Sequence, residues 1–205
     1  MTRIALVIGL LAAASVARAD DSEPPATFHK GQVGISARLG FGVRGIATYN
    51  SDYCGKLDST AANGNAPVCS GRSPFVFDLE GSYGVAKHIE LLFELSLGLE
   101  HDFGATAGME GPRPFHIAPG ARFFFSEAKR SKLFVQPELV IDFTGYQTPA
   151  GTSRGTDVGF RGLEGYWFDL HRTYGIYAFV GETAEFSRWL YAELEFGFGV
   201  QGRYP

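Results

Sequence analysis

Between Ile89 and Glu100 the chain alternates almost without exception. Ile89, Leu91, Phe93, Leu95, Leu97 and Leu99 are apolar, and Glu90, Glu94, Ser96, Gly98 and Glu100 lie between them, with Leu92 alone out of pattern. Leucine and glutamate favour helices by propensity, but a helix would scatter these glutamates around its circumference. A strand puts every apolar side chain on one face and every polar one on the other. The segment is therefore read as a strand with two chemically opposite faces. The same period recurs in Val33–Val43, where Val33, Ile35, Ala37, Leu39, Phe41 and Val43 alternate with small and polar residues. It recurs again in Phe75–Tyr83 and, most cleanly, in Leu190–Gln201.

Four further segments carry a weaker form of the pattern. Phe115–Phe125 alternates except at Phe124, and Leu133–Asp142 sets Leu133, Val135, Pro137, Leu139 and Ile141 against Gln136, Glu138 and Asp142. Pro119 and Pro137 are disruptive there, because proline cannot donate to a ladder. A glycine-rich stretch from Asp157 to Phe168 has no clear parity near Leu163, and a seventh strand covers Tyr174–Glu182. The chain holds 27 glycines, too many for a helical protein, since glycine weakens helix interiors. The connections between the eight segments are long and short by turns, which is the antiparallel pattern of a barrel with long loops at one end and tight turns at the other.

Alternation alone does not say which face meets water. Three features assign the apolar face to the outside. None of the five lysines after the first nineteen residues (Lys30, Lys56, Lys87, Lys129, Lys132) falls within an expected strand. The polar face is rich in glycine, which makes room for large neighbours in a narrow lumen. The apolar faces of the clearest strands carry no charge. Eleven residues at ~3.3 Å each, tilted by ~40°, cover ~25 Å, the height of the apolar band of a membrane barrel.

The N-terminus adds the address. Arg3, the apolar run Ile4–Ala14 and Ala17-Arg18-Ala19 have the make-up of a secretory signal peptide. Residues 1–19 are thus expected to be removed, residues 20–31 to form a polar leader, and residues 32–205 to form the barrel. Losing Arg3 and Arg18 from 18 basic residues leaves 16 against 22 acidic ones, a net charge of −6 and a poor match to nucleic acid. Cys54 and Cys69 lie in the exported part, where oxidising conditions favour a disulfide. The bridge would close a loop of about 15 residues, worth ~3 kcal/mol in the chain-entropy picture.

Signal peptide, strand count, loop alternation and an aromatic final strand (Phe196, Phe198, Tyr204) together resemble the eight-stranded outer-membrane β-barrels of the OmpA/OmpW-like class, over residues 32–204. The resemblance implies an all-β, eight-stranded, antiparallel up-and-down transmembrane barrel in the outer membrane of a Gram-negative-type cell. Its partners would be outer-membrane lipid and the barrel-insertion machinery, which reads a terminal aromatic residue. Tyr204 holds that register, but Pro205 follows it and departs from the class pattern. A monomer is expected, with no peptidoglycan-binding domain, no cofactor, no metal and no nucleic acid.

Candidate site residues are the charges on the inward face. Arg38, Asp78, Glu94, Arg122, Glu138, Glu193 and Glu195 are expected to form a lumenal polar network, with Arg122 bridging Glu94 and Glu138 on the two flanking strands. Glu80, Glu90, Glu100, Asp142, Arg44 and Arg203 share that parity. His116 is the only inward-facing histidine expected on a strand, and no serine lies within two residues of it, so hydrolytic chemistry has little support. Tyr83, Tyr166, Trp167, Phe168, Tyr174, Trp189 and Tyr204 read as interfacial girdles. The expected role is structural or surface-interacting, with a side-chain-filled lumen. The alternative is a small porin-like channel or carrier for small cations or hydrophobic solutes.

Overall fold

The computed structural model describes residues 29–47, 68–102, 111–125, 130–148, 151–153, 155–187 and 190–204, with backbone alone at 68–69, 146–148 and 151–153. The strands are β1 (Val33–Ala47), β2 (Val68–Arg72), β3 (Val76–Ala86), β4 (Ile89–Gly98), β5 (Phe115–Phe124), β6 (Ser131–Asp142), β7 (Tyr146–Thr148), β8 (Gly151–Ser153), β9 (Asp157–His171), β10 (Tyr174–Glu185) and β11 (Leu190–Tyr204). Eight of them close a barrel in the order β1-β3-β4-β5-β6-β9-β10-β11, and β11 pairs back onto β1 from Val33↔Tyr204 to Ala47↔Leu190. Every pairing is antiparallel and, apart from the closing β1–β11 pair, joins barrel strands that follow one another in the chain, so the barrel is up-and-down.

Two short additions were not legible from alternation. β2 pairs antiparallel with the loop end of β1, from Val43↔Arg72 to Ala47↔Val68, and β7 pairs with β8 in a separate hairpin. Neither is long enough for a period of two to show. The expected Cys54–Cys69 bridge lies outside the described residues, as do the signal peptide and Trp189.

The prolines leave their mark where they were expected to disturb pairing. The β5–β6 ladder pairs His116↔Asp142 and Ile117↔Ile141, skips Pro119, resumes at Gly120↔Glu138, and skips again opposite Pro137. Missing N–H donors account for both gaps. Turns at Lys87–His88 and Arg172–Thr173 lie at the same end as both barrel termini, the turn end. The connections after β1, β4, β6 and β10 lie at the other, the loop end.

Burial alternates along each strand, and its sense is the reverse of a soluble barrel. Arg38, Asp78, Glu94 and Arg122 are 1 % exposed or less, while Leu91 is 53 % and Phe198 60 % exposed. A continuous apolar exterior of this size on a water-soluble protein would drive association. Among the described residues of the eight barrel strands, outward charge is carried by Glu164 on β9, opposite Val180 and Val135, and by Glu182 on β10, opposite Gly162 and Leu194. Of the two, β9 is the strand whose parity the sequence left unclear.

Candidate functional site in the barrel lumen

Three arginines from three strands organise the lumen. Arg38 of β1 donates through Nε to Asp78 of β3 at 2.7 Å and pairs with Glu94 of β4. Arg122 of β5 donates to both Glu80 oxygens, at 2.9 and 2.8 Å, to Glu90 at 3.1 Å and to the Gln136 carbonyl at 2.6 Å. Arg161 of β9 donates to Glu138 of β6 at 2.5 Å and to Glu94. Gln136 joins the layers by donating to Glu80 at 3.0 Å and Glu138 at 2.7 Å. Paired charges of this kind, linked by forked guanidinium bonds, are the form in which ionised groups tolerate burial.

One sequence expectation is corrected here. Arg122 does not bridge Glu94 and Glu138; its partners are Glu80, Glu90 and Gln136, and Arg161 takes the bridging place. The expectation assumed that charges on adjacent strands meet at equal height. In a filled lumen a long side chain also reaches across to strands that are not its neighbours, as Arg161 does toward Glu94. Arg161 was missed because β9 had no legible parity.

The remaining inward space is aromatic. Phe124, Phe134, Leu163, Trp167, Tyr177 and Phe179 form one buried cluster, with the Trp167 and Tyr177 rings stacked at 5.0 Å. Arg122 lies against Phe134, Trp167 and Tyr177, each within about 5.3 Å of its guanidinium carbon. Two glycines make room for this cluster: a Cβ on Gly197 would lie 2.4 Å from Phe179, and one on Gly199 would lie 2.4 Å from Tyr177. Trp167, read from sequence as an interfacial girdle residue, instead points inward and donates its indole N–H to Asp169 at 2.8 Å. Phe124, the exception to its strand's alternation, has the same explanation. Lys132, expected outside the strands, lies in β6, faces inward and pairs with Asp169 at 2.8 Å.

At the loop end Arg44 forks onto Asp102, and Tyr191 donates to Glu193. Glu195 lies 3.8 Å from Arg161. Glu193 and Glu195 line a cavity of about 60 Å³ together with His116 and Asp142. Glu100, expected in the lumen, instead pairs with Arg72 at 2.7 Å beyond the strand end. That bond and the Phe75 N–H hold its carboxyl below the usual range.

Ser96 lies directly opposite His116 across the β4–β5 ladder, a neighbour no count along the sequence reveals. Its hydroxyl is buried and makes no hydrogen bond, so it is not activated by the imidazole. Asp78, Glu94 and His116, and also Glu80, Glu94 and Glu138, present ligand atoms within 4.8 Å of one another. Arg38, Arg122 and Arg161 pair with these same carboxylates.

This architecture is that of the eight-stranded outer-membrane β-barrels. The fold is similar to the N-terminal β-barrel domain of Pseudomonas aeruginosa OprF, with 13% identity, TM-score 0.57, and coverage of 85% of this chain and 98% of that one. It is similar to Neisserial surface protein A, with 11% identity, TM-score 0.58, and coverage of 85% and 100%. It also resembles Ail, the attachment invasion locus protein of Yersinia pestis, with 11% identity, TM-score 0.53, and coverage of 85% and 99%. At these identities the likeness is one of fold. No protein-family model matches the chain, and no curated protein matches it by sequence.

Proposed function

We propose that this protein is exported through a cleaved signal peptide and resides in the outer membrane as a monomeric barrel with a sealed lumen. It acts structurally or through contacts made by its loop end, and it is not an enzyme. The observation that carries this reading is the cross-section at Arg38, Arg122 and Arg161. There, charged side chains from β1, β3, β4, β5, β6 and β9 are paired across the full width of the lumen. Aromatic rings occupy the space between them. An eight-stranded barrel is just wide enough to be filled in this way. The acidic exported chain and the Cys54–Cys69 bridge proposed for the first long loop suit an exposed, oxidised surface segment.

Planar-bilayer recording on the refolded protein at neutral pH tests this reading. A sealed lumen gives no persistent conductance steps. Stable ohmic steps favouring cations would replace this account with the porin-like one.

A further inference from the structure

The turn end of the lumen is closed by a residue that belongs to no strand. His29 lies in the leader, four residues before β1, yet it is 1 % exposed. Its own N–H reaches the Lys87 carbonyl at 3.4 Å, and Gly31 N–H donates to the Gly84 carbonyl at 2.7 Å. Gly31 has φ of +80°, the left-handed conformation that turns the leader back into the barrel mouth. Gly84 is needed opposite it, since a Cβ there would lie 1.7 Å from the His29 carbonyl oxygen.

The imidazole is read by the groups around it. Nε2 lies 2.9 Å from the Lys132 ammonium and 2.8 Å from Arg203 Nη1, and both of these can only donate. Nε2 is therefore the unprotonated acceptor. Nδ1 carries the hydrogen and donates to Glu90. The charged groups packed around the ring are Glu90 from β4, Lys132 from β6, Asp169 from β9 and Arg203 from β11. Arg122 from β5 holds the second Glu90 oxygen, and Lys87 and His88 form the adjacent exposed turn. The rings of Phe124, at 4.3 Å, and Trp167, at 5.7 Å, complete the socket.

We propose that His29 is a proton-sensitive latch on the turn end of the lumen. A second proton at Nε2 removes the acceptor that Lys132 and Arg203 share beside the Asp169 carboxylate, and sets a third positive charge between them. The side chain then leaves the socket, and residues 29–31 come away from the Lys87 and Gly84 carbonyls. Burial lowers the pKa of His29, the bond to Glu90 opposes that shift, and Arg203 and Lys132 add to it. The sign follows. A histidine with a lowered folded-state pKa stabilises the closed mouth fully above its ordinary value of about 6.5, and that contribution is lost as pH falls below it. The latch rests on the sealed-barrel reading, but the two fail separately: conductance at neutral pH tests the seal, and the experiment below tests its release.

The experiment uses the full exported chain in phosphatidylcholine vesicles, with Trp189→Phe so that Trp167 is the only indole. Acrylamide quenching is followed from pH 8 to pH 4.5. Trp167 is expected to be shielded at pH 8 and to become several-fold more quenchable as pH falls, while His29→Gln, a neutral side chain that keeps an acceptor, stays shielded. A flat wild-type profile would overturn the latch, as would the same acid transition in His29→Gln, because carboxylates would then be responsible. Imidazole nitrogen NMR on the wild-type barrel provides a measurement that needs no variant. An Nδ1–H tautomer at pH 7 with a midpoint below about 6.5 is expected, and a doubly protonated ring at pH 7 would contradict the proposal.

Discussion

Arg161→Ala should cost the folded barrel ~3–5 kcal/mol in chemical unfolding, because it strips buried Glu138 of its directly bonded cation and leaves Glu94 with Arg38 alone. A surface ion pair is worth only ~0–1 kcal/mol, so the two situations are far enough apart to distinguish. Both carboxylates are almost inaccessible, Glu94 at 0 % and Glu138 at 3 % exposure, so water cannot replace the guanidinium. Arg161→Ala with Glu138→Gln should be strongly non-additive, since removing the charge on Glu138 relieves what the arginine left behind. Arg122→Ala with Glu80→Gln should couple in the same way through two direct bonds. Arg122→Ala with Glu138→Gln should couple more weakly, because only Gln136 links them. Equal coupling in all three cycles would mean that the lumen is not layered as described.

Leu95→Arg should destabilise the barrel in lipid by ~2–4 kcal/mol, and Leu99→Arg, beyond the end of the same strand, by only about 0–1 kcal/mol. Leu95 faces outward, paired with Leu79 and Ile117 near the middle of β4. Glu182 supplies the opposite test on the same surface. It is an outward carboxylate beside Leu194 and Gly162, and Glu182→Leu should raise stability in lipid by ~1 kcal/mol, since acidic residues cost less than basic ones on that face. Urea titration in phospholipid vesicles reads all three changes. A tolerated Leu95→Arg would mean that this face meets water.

The barrel was legible because its strands alternate, and alternation is a local signal. β4 and β11 could be read residue by residue, including which side chains point inward. β9 could not be read in this way. Gly159, Gly162 and Gly165 fall on both faces and erase the period, and Leu163 and Trp167 are apolar residues on the polar side. The consequence was specific: Arg161 was missed, and its role was given to Arg122. The inward aromatics could not be inferred from one strand either. Tyr177 and Phe179 fit only because Gly199 and Gly197 lie across from them on β11, which is a property of the register between strands. His29 was hidden for a third reason. It lies in a polar leader with no periodicity, and only the folded turn at Gly31 carries it into the lumen.

The claim on which everything else depends is that the apolar face meets lipid and the charged face meets the lumen. A nitroxide scan along residues 89–99 of the refolded protein in vesicles tests it most directly, with oxygen and a water-soluble nickel chelate as competing relaxants. Positions 89, 91, 93, 95, 97 and 99 should be relaxed by oxygen and shielded from nickel, most strongly near 93–95, and the even positions should be shielded from both. Nickel access along the odd positions would contradict the membrane barrel and return the apolar face to water.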